Sequence, residues 1–396
     1  MTRVCVLFMG LSLTVRPVAS QGFITASPPV TIVFRGVVDD PITSFTVALD
    51  RVLPTPGPVQ TIGISGSVQG LKFKFDHVES RLNSPPNFIV ITPSSGTIPA
   101  LLQVGLNDAI IRRMSPGSYG LGIVFSTVDQ SPSSSASVTV QLSLSAPPAP
   151  AIQSVVSTAS YQPNLSPGAM VSIFGTHLGQ PSGSAPYDEF GLYPTSLAGT
   201  TVTFNGIAAP LLYASASQIN ALVPYGLAGQ NKADVIVTRV IGSVSQSSSA
   251  LNIQITDTSP AIFTSTQNGR GQGTFLQYPD SSYNSADNPA PPGSVVTLFA
   301  TGAGVWNPPV LDGVISLAPL NVLPPRLPWF SAQPVSLTIG GQPARIIYAG
   351  GVLYQVWGLL QINAVVPDNV ASGTQPVILT IGQNNNSEQK VTIAIK

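Results

Sequence analysis

Short runs in which apolar residues recur at every second position are separated by gaps rich in glycine and proline. Between residues 22 and 146 the runs 31–34 (TIVF), 44–49 (SFTVAL), 71–75 (LKFKF) and 137–144 (SVTVQLSL) follow this period. It places one side of each run on a core and the other in water, and predicts antiparallel strands. The gaps 54–58 (PTPGP), 93–96 (PSSG) and 115–118 (SPGS) read as turns, because glycine supplies positive φ and proline pre-sets φ. Further strands are predicted at 170–174 (MVSIF), 201–204 (TVTF), 210–213 (PLLY) and 234–238 (DVIVT). Asn205-Gly206 directly after TVTF is a hairpin signal. No helical period lasts beyond about two turns. Such a density of short strands and turns predicts an all-β chain of immunoglobulin-like sandwiches.

Two stretches are written twice. Residues 166–179 (SPGAMVSIFGTHLG) return as 291–304 (PPGSVVTLFATGAG), 201–215 as 336–350, and 217–224 (SQINALVP) as 360–367 (LQINAVVP). The order is kept, so the region after about 150 is a duplicated supersecondary unit. The offset between copies grows from 125 to 135 to 143 residues, so the second copy carries insertions of ten and eight. With 146–150 (APPAP) as a stiff linker, the expected organisation is a leader at 1–20, an N-terminal sandwich at 22–146 and repeats at 150–256 and 257–396. The last two are then an internal duplication.

Several blocks carry a family resemblance. Residues 175–179 (GTHLG), 202–206, Ala208-Ala209 and 218–224 (QINALVP) resemble the IPT/TIG class of immunoglobulin-like domains. Ser160-Tyr161, 166–168 (SPG), Asn284-Ser285, 288–290 (NPA), 292–294 (PGS), 301–304 (TGAG), Asp312-Gly313 and 358–363 (GLLQIN) resemble an uncharacterised C-terminal domain family expanded in Acidobacteria such as Solibacter. Trp357 departs from that pattern, which has a small residue there. The resemblance covers about 150–396 and implies secretion and tandem sandwiches, with no activity to carry over. Residues 88–96 and 115–119 resemble BACON-type modules, which implies a link to carbohydrate-active proteins.

Composition narrows the function. Only 8% of residues are charged, 16 basic against 16 acidic, so no phosphate-neutralising surface exists for nucleic acid; Arg112-Arg113 is the one basic doublet. Arg3 precedes an apolar run from Val4 to Val15, and Val18-Ala19-Ser20 offers small residues for cleavage. This is the order of a secretory signal peptide cleaved near Ser20, too short to span a bilayer by itself; an uncleaved anchor is the alternative reading. The expected location is extracellular or periplasmic. Cys5, the single cysteine, lies inside the leader, so a mature chain has no disulfide. The C-terminal 391–396 (VTIAIK) reads as a strand without a sorting tail, which makes surface attachment indirect.

Candidate chemistry is sparse. His77 and His177 fall in different predicted domains without a second ligand at metal spacing, and His177 reads as a turn residue. No GxSxG elbow occurs. Asp39-Asp40 and Asp188-Glu189 are sequence neighbours, which sends their side chains apart rather than across one glycosidic bond. The loop 278–288 (YPDSSYNSADN) is rich in oxygen ligands of the kind calcium takes, without EF-hand spacing. Trp306, Trp329 and Trp357 all fall in or beside the insertions of the second copy. They are the candidate ligand contacts if they stack on sugars, and otherwise cover the end of a sandwich or fill a joint. Ile219 and Ile362 are expected in the core, with the flanking Gln and Asn amides bonding the following turn. The chain thus reads as a secreted, non-enzymatic structural or interaction protein without cofactor, partnered by an extracellular protein or polysaccharide. The alternative is a carbohydrate-binding protein using the aromatic loops.

Overall fold

The computed structural model describes residues 24–27, 32–37, 60–66, 70, 72–81, 88–97, 100–111, 113–128, 135–180, 183–241, 244–317, 330–331 and 333–396. The leader with Cys5, the run 44–49, Asp39-Asp40, Arg112 and Trp329 lie outside these residues. Strands are the dominant regular element of the described residues, and helix among them is confined to Asp108–Ile111 and two short 3-10 turns. The chain forms two units, residues 1–147 with 241–244, and 148–240 with 245–396. The division falls beside the proline-rich stretch 146–150, and both copies lie within the second unit.

The first unit is a sandwich. One sheet runs in the order Ile24–Ser27, Gln60–Gly66, Ala100–Leu106, Ile89–Thr92, and the other Ile32–Val37, Ser135–Ser145, Gly117–Thr127, Lys72–Arg81, Ser95–Thr97. Alternation sorts the faces: Leu102 and Val104 are fully buried while Leu101 is exposed. They meet Phe73, Leu121, Ile123 and Phe125 of the second sheet in one core. Phe73 and Phe75 both set their rings edge-on to Phe125, with centroids 6.2 and 6.3 Å away. Tyr119 near the start of its strand donates its hydroxyl to Ser115 O at 2.6 Å, the tyrosine corner found in immunoglobulin-like sandwiches. One pairing differs from expectation: Ile32–Val37 runs parallel to Ser135–Ser145. Alternation dictates which face a residue takes, but is blind to strand direction.

In the second unit each copy builds its own core, one around Ile173, Phe204 and Ile219, the other around Leu298, Ile339 and Ile362. Equivalent blocks do equivalent work. Residues 166–169 and 291–294 each close a turn, with Ala169 N donating to Ser166 O at 3.0 Å and Ser294 N to Pro291 O at 3.1 Å. Proline at the second position and a glycine of positive φ at the third, Gly168 at 74° and Gly293 at 77°, make these type II turns. The strands Met170–Thr176 and Val295–Thr301 then pair with Gln218–Leu222 and Leu360–Val365 in matching register, Ile173 opposite Ile219 and Leu298 opposite Ile362. Both copies carry a bulge at the same point, between Leu211 and Tyr213 and between Ile346 and Tyr348. Asn205-Gly206 and Gly340-Gly341 are paired positive-φ turns of matching hairpins. In the second copy Gln342–Gly351 passes from one sheet to the other, which joins them into a continuous 11-stranded sheet.

Candidate functional site

Trp306 and Trp357, the described members of the candidate tryptophan set, are buried. Trp306 is 3% exposed and Trp357 7%, both within the core of the second copy. Their rings meet edge to face with centroids 5.0 Å apart, which adds about 0.5–1.5 kcal/mol to the area they bury. Trp357 fits because Gly351 has no side chain; a Cβ there would stand 2.7 Å from the indole. Described residues of the insertions meet the first copy. Ile315 N donates to Gly191 O at 2.9 Å, Tyr193 N to Gly313 O at 3.0 Å, and Tyr225 N to Asp312 Oδ1 at 2.7 Å. Tyr225 packs on the core of the second copy, and burial pushes its phenol pKa up. On the other side of the joint, Met170 N donates to Thr301 Oγ1 at 2.9 Å and Thr301 Oγ1 donates to Gly358 O at 2.8 Å.

The Gln-Ile-Asn segments behave as expected at their centre and differently at their flanks. Ile219 and Ile362 are fully buried. The amides point to the opposite face, but they bond across the sheet rather than into the next turn. Ser172 Oγ donates to Asn220 Oδ1 at 3.1 Å and Gln218 Nε2 to the same oxygen at 2.8 Å. In the second copy Thr297 Oγ1 and Gln361 Nε2 donate to Asn363 Oδ1 at 2.9 and 3.0 Å. Strand pairing sets Ser172 opposite Asn220 and Thr297 opposite Asn363, so hydroxyl and amide meet within reach.

In the first copy this polar face forms one wall of a cleft of about 670 Å³. Thr158, Tyr161, Ser172, Gln218 and Asn220 come from the first copy, and Phe263, Thr264, Gln267, Thr274 and Tyr283 from the second. Among the described residues no acidic, basic or histidine side chain lines it. Thr158 Oγ1 lies 3.1 Å from Ser172 Oγ, extending the relay that orients Asn220. Asn220 Oδ1 is thereby saturated, and Asn220 Nδ2 and Gln218 Oε1 have no partner among the described residues. Tyr161 is 42% exposed, stacked on Phe174 at 6.4 Å and 14° between planes, and held at φ 59°. Tyr283 on the other wall is 67% exposed. Neither the cleft nor its tyrosines is foreseen from sequence, since the walls are about a hundred residues apart in the chain. The one local signal is Ser160-Tyr161 within the family-like blocks.

Other sequence candidates are committed to structure. The asparagines of the loop 278–288 are tied into the fold: Asn284 Oδ1 accepts from Ala394 N at 2.9 Å, its Nδ2 donates to Ala394 O at 2.8 Å, and Asn288 Nδ2 donates to Ser282 Oγ and Tyr283 O at 3.0 Å each. Asp280 accepts from Ser282 N at 3.1 Å, which lowers its carboxyl pKa. Asp188 Oδ1 accepts from Phe190 N and Leu192 N at 2.9 Å each, closing its own loop. His177 is an exposed turn residue at φ 54°, and His77 stands 3.5 Å from Asp76 on the first unit. Among the described residues no group of three His, Cys, Asp or Glu side chains is placed to hold a metal, and no helix is long and apolar enough to cross a membrane. A second cleft of about 350 Å³ is walled by Ser160, Gln162 and the amide-rich segment 383–389. Its amides are engaged, Asn386 Oδ1 with Leu379 N at 2.7 Å and Gln389 Nε2 with Ala159 O at 3.1 Å.

No protein-family model matches the chain, and no curated protein matches it. Solved structures with some likeness include mouse clustered PcdhgC3 EC1-3, at 11% identity and TM-score 0.23 over 60% of this chain and 68% of that one. Another is the E. coli chaperone DraB, at 11% identity and TM-score 0.22, covering 58% of this chain and 96% of that one. Drosophila N-cadherin EC1-4 matches over 95% of this chain and 76% of that one, at 12% identity and TM-score 0.20. The sandwich architecture rests on the strand pairing itself.

Proposed function

We propose that this chain is a secreted, non-enzymatic interaction protein, in which an N-terminal immunoglobulin-like sandwich precedes a duplicated pair that binds an extracellular partner as one body. The observation that carries this reading is the joint between the copies. Among the described residues of the longer loops of the second copy, Ile315 and Asp312 bond the first copy, and Trp306 and Trp357 form a buried pair. Loops used in this way hold a surface in fixed shape, and a preformed surface binds at a smaller ordering cost. The involvement of Asp188 and Asp280 in their own loops supports a role without acid or base catalysis. The leader-like first twenty residues support export.

The test has two arms. Mass spectrometry of protein recovered from a host's extracytoplasmic fraction is expected to give a mature N-terminus just after Ser20. Incubated with polysaccharide, ester and peptide panels, the purified chain is expected to bind without turnover. Release of new reducing ends, acid or amine, abolished by substitution of a single carboxylate, would overturn the non-enzymatic reading.

A further inference from the structure

We infer that the cleft between the two copies is a binding site for a neutral, hydroxyl-rich glycan. The inference rests on the reading of the chain as a binding protein and names the ligand class of its body. The cleft volume, about 670 Å³, falls in the range of small-ligand sites. Its walls carry hydroxyls, carboxamides and aromatic rings, with no charged side chain among the described residues. An ionic ligand would shed water there without a counter-charge, a large cost. A sugar hydroxyl both donates and accepts, and Asn220 Nδ2 and Gln218 Oε1, without a partner among the described residues, offer it one donor and one acceptor. The relay from Ser172 and Gln218 to Asn220 Oδ1 fixes which edge of Asn220 faces the ligand.

Two tyrosines supply the apolar half of the site. Sugar rings present C–H faces as well as hydroxyls, and an open aromatic face covers them. Tyr161 is pre-positioned by its stack on Phe174, and Tyr283 stands exposed on the opposite wall. Tyr161 also keeps a left-handed φ of 59°, a conformation an aromatic residue rarely adopts. Backbone strain of this kind gathers at ligand-holding positions. The duplication supplies an internal control. Asn363 is oriented by the same two bonds as Asn220, yet it lines neither cleft described above. The amide motif itself is therefore structural in both copies, and in the first it also lines the cleft.

Calorimetric titration of the full chain with soluble neutral glucans and mannans, and with polygalacturonate as the anionic probe, tests the inference. A neutral polymer is expected to bind with an affinity unchanged between about 0.05 and 0.5 M salt. Tyr283→Ser and Tyr161→Asn are each expected to weaken it by at least about tenfold while the melting transition is kept, since Tyr283 is exposed and asparagine tolerates a left-handed φ. Asn220→Ala and Asn363→Ala are expected to destabilise alike, with only Asn220→Ala weakening binding. Binding of the anionic polymer alone, weakening with salt, would overturn the inference, as would neutral-glycan binding that survives both tyrosine variants. Capture of a peptide or protein partner indifferent to these variants, with no glycan bound, would overturn the glycan site and leave the interaction reading standing. Cleavage of the probe would overturn that reading instead.

Discussion

His177 holds a φ of 54° at the position where the second copy has Gly302 at 80°. The GTHLG and ATGAG blocks thus share a left-handed turn, filled once at a steric cost and once without. His177→Gly is expected to stabilise the protein by up to about 1 kcal/mol in denaturant titration, because the side chain is exposed and the relief of strain outweighs the added freedom of glycine in the unfolded chain. The reverse holds at Gly168, where an added Cβ would overlap the Tyr225 ring. Gly168→Ala is expected to cost about 1–3 kcal/mol by overpacking, on top of the positive φ. Asn220→Ala and Asn363→Ala are each expected to lose about 1 kcal/mol, the net worth of a hydrogen bond. At this scale the core residues are legible in the sequence, because Ile219 and Ile362 obey strand alternation. Trp306 and Trp357 are not: a large aromatic in an inserted loop reads the same whether it faces solvent or a partner ring.

At the scale of elements, hairpins and turns are legible because their chemistry is local. Asn205-Gly206 and the proline-glycine turns at 167–168 and 292–293 need only their own φ values. The parallel pairing of Ile32–Val37 is not legible, since it depends on a strand from the far end of the unit. The insertion bearing Asp312 gives a pH signature. Burial raises the Asp312 carboxyl pKa against the lowering effect of the Tyr225 N–H it accepts. A folded pKa above the unfolded value, about 3.9, means that the fold binds the proton more tightly. The contribution of Asp312 to stability is then highest below the unfolded pKa, declines as pH rises to the folded pKa, and is level beyond. Asp312→Asn keeps an oxygen for Tyr225 N–H and removes the titration. The stability of Asp312→Asn relative to the parent is expected to rise across that window and then level. A flat difference across it would show that Asp312 is as well solvated in the fold as in the unfolded chain.

At the scale of the molecule, the duplication is legible and the fusion of its products is not. Block order needs one sequence, whereas the joint arises from pairs such as Met170 with Thr301 and Tyr225 with Asp312, far apart in the chain. The cleft is a consequence of that joint, which is why no motif announces it. All three tryptophans lie in the second copy, so tryptophan emission reports that copy alone. Ile219→Ala opens a cavity in the core of the first copy, at an expected cost of about 2–5 kcal/mol. If the copies are one body, the thermal transition seen by tryptophan emission moves down with it, by roughly 2–4 °C per kcal/mol for a unit of this size. A tryptophan transition left unmoved by Ile219→Ala, while a separate transition of the first copy shifts, would contradict the fusion on which the binding surface depends.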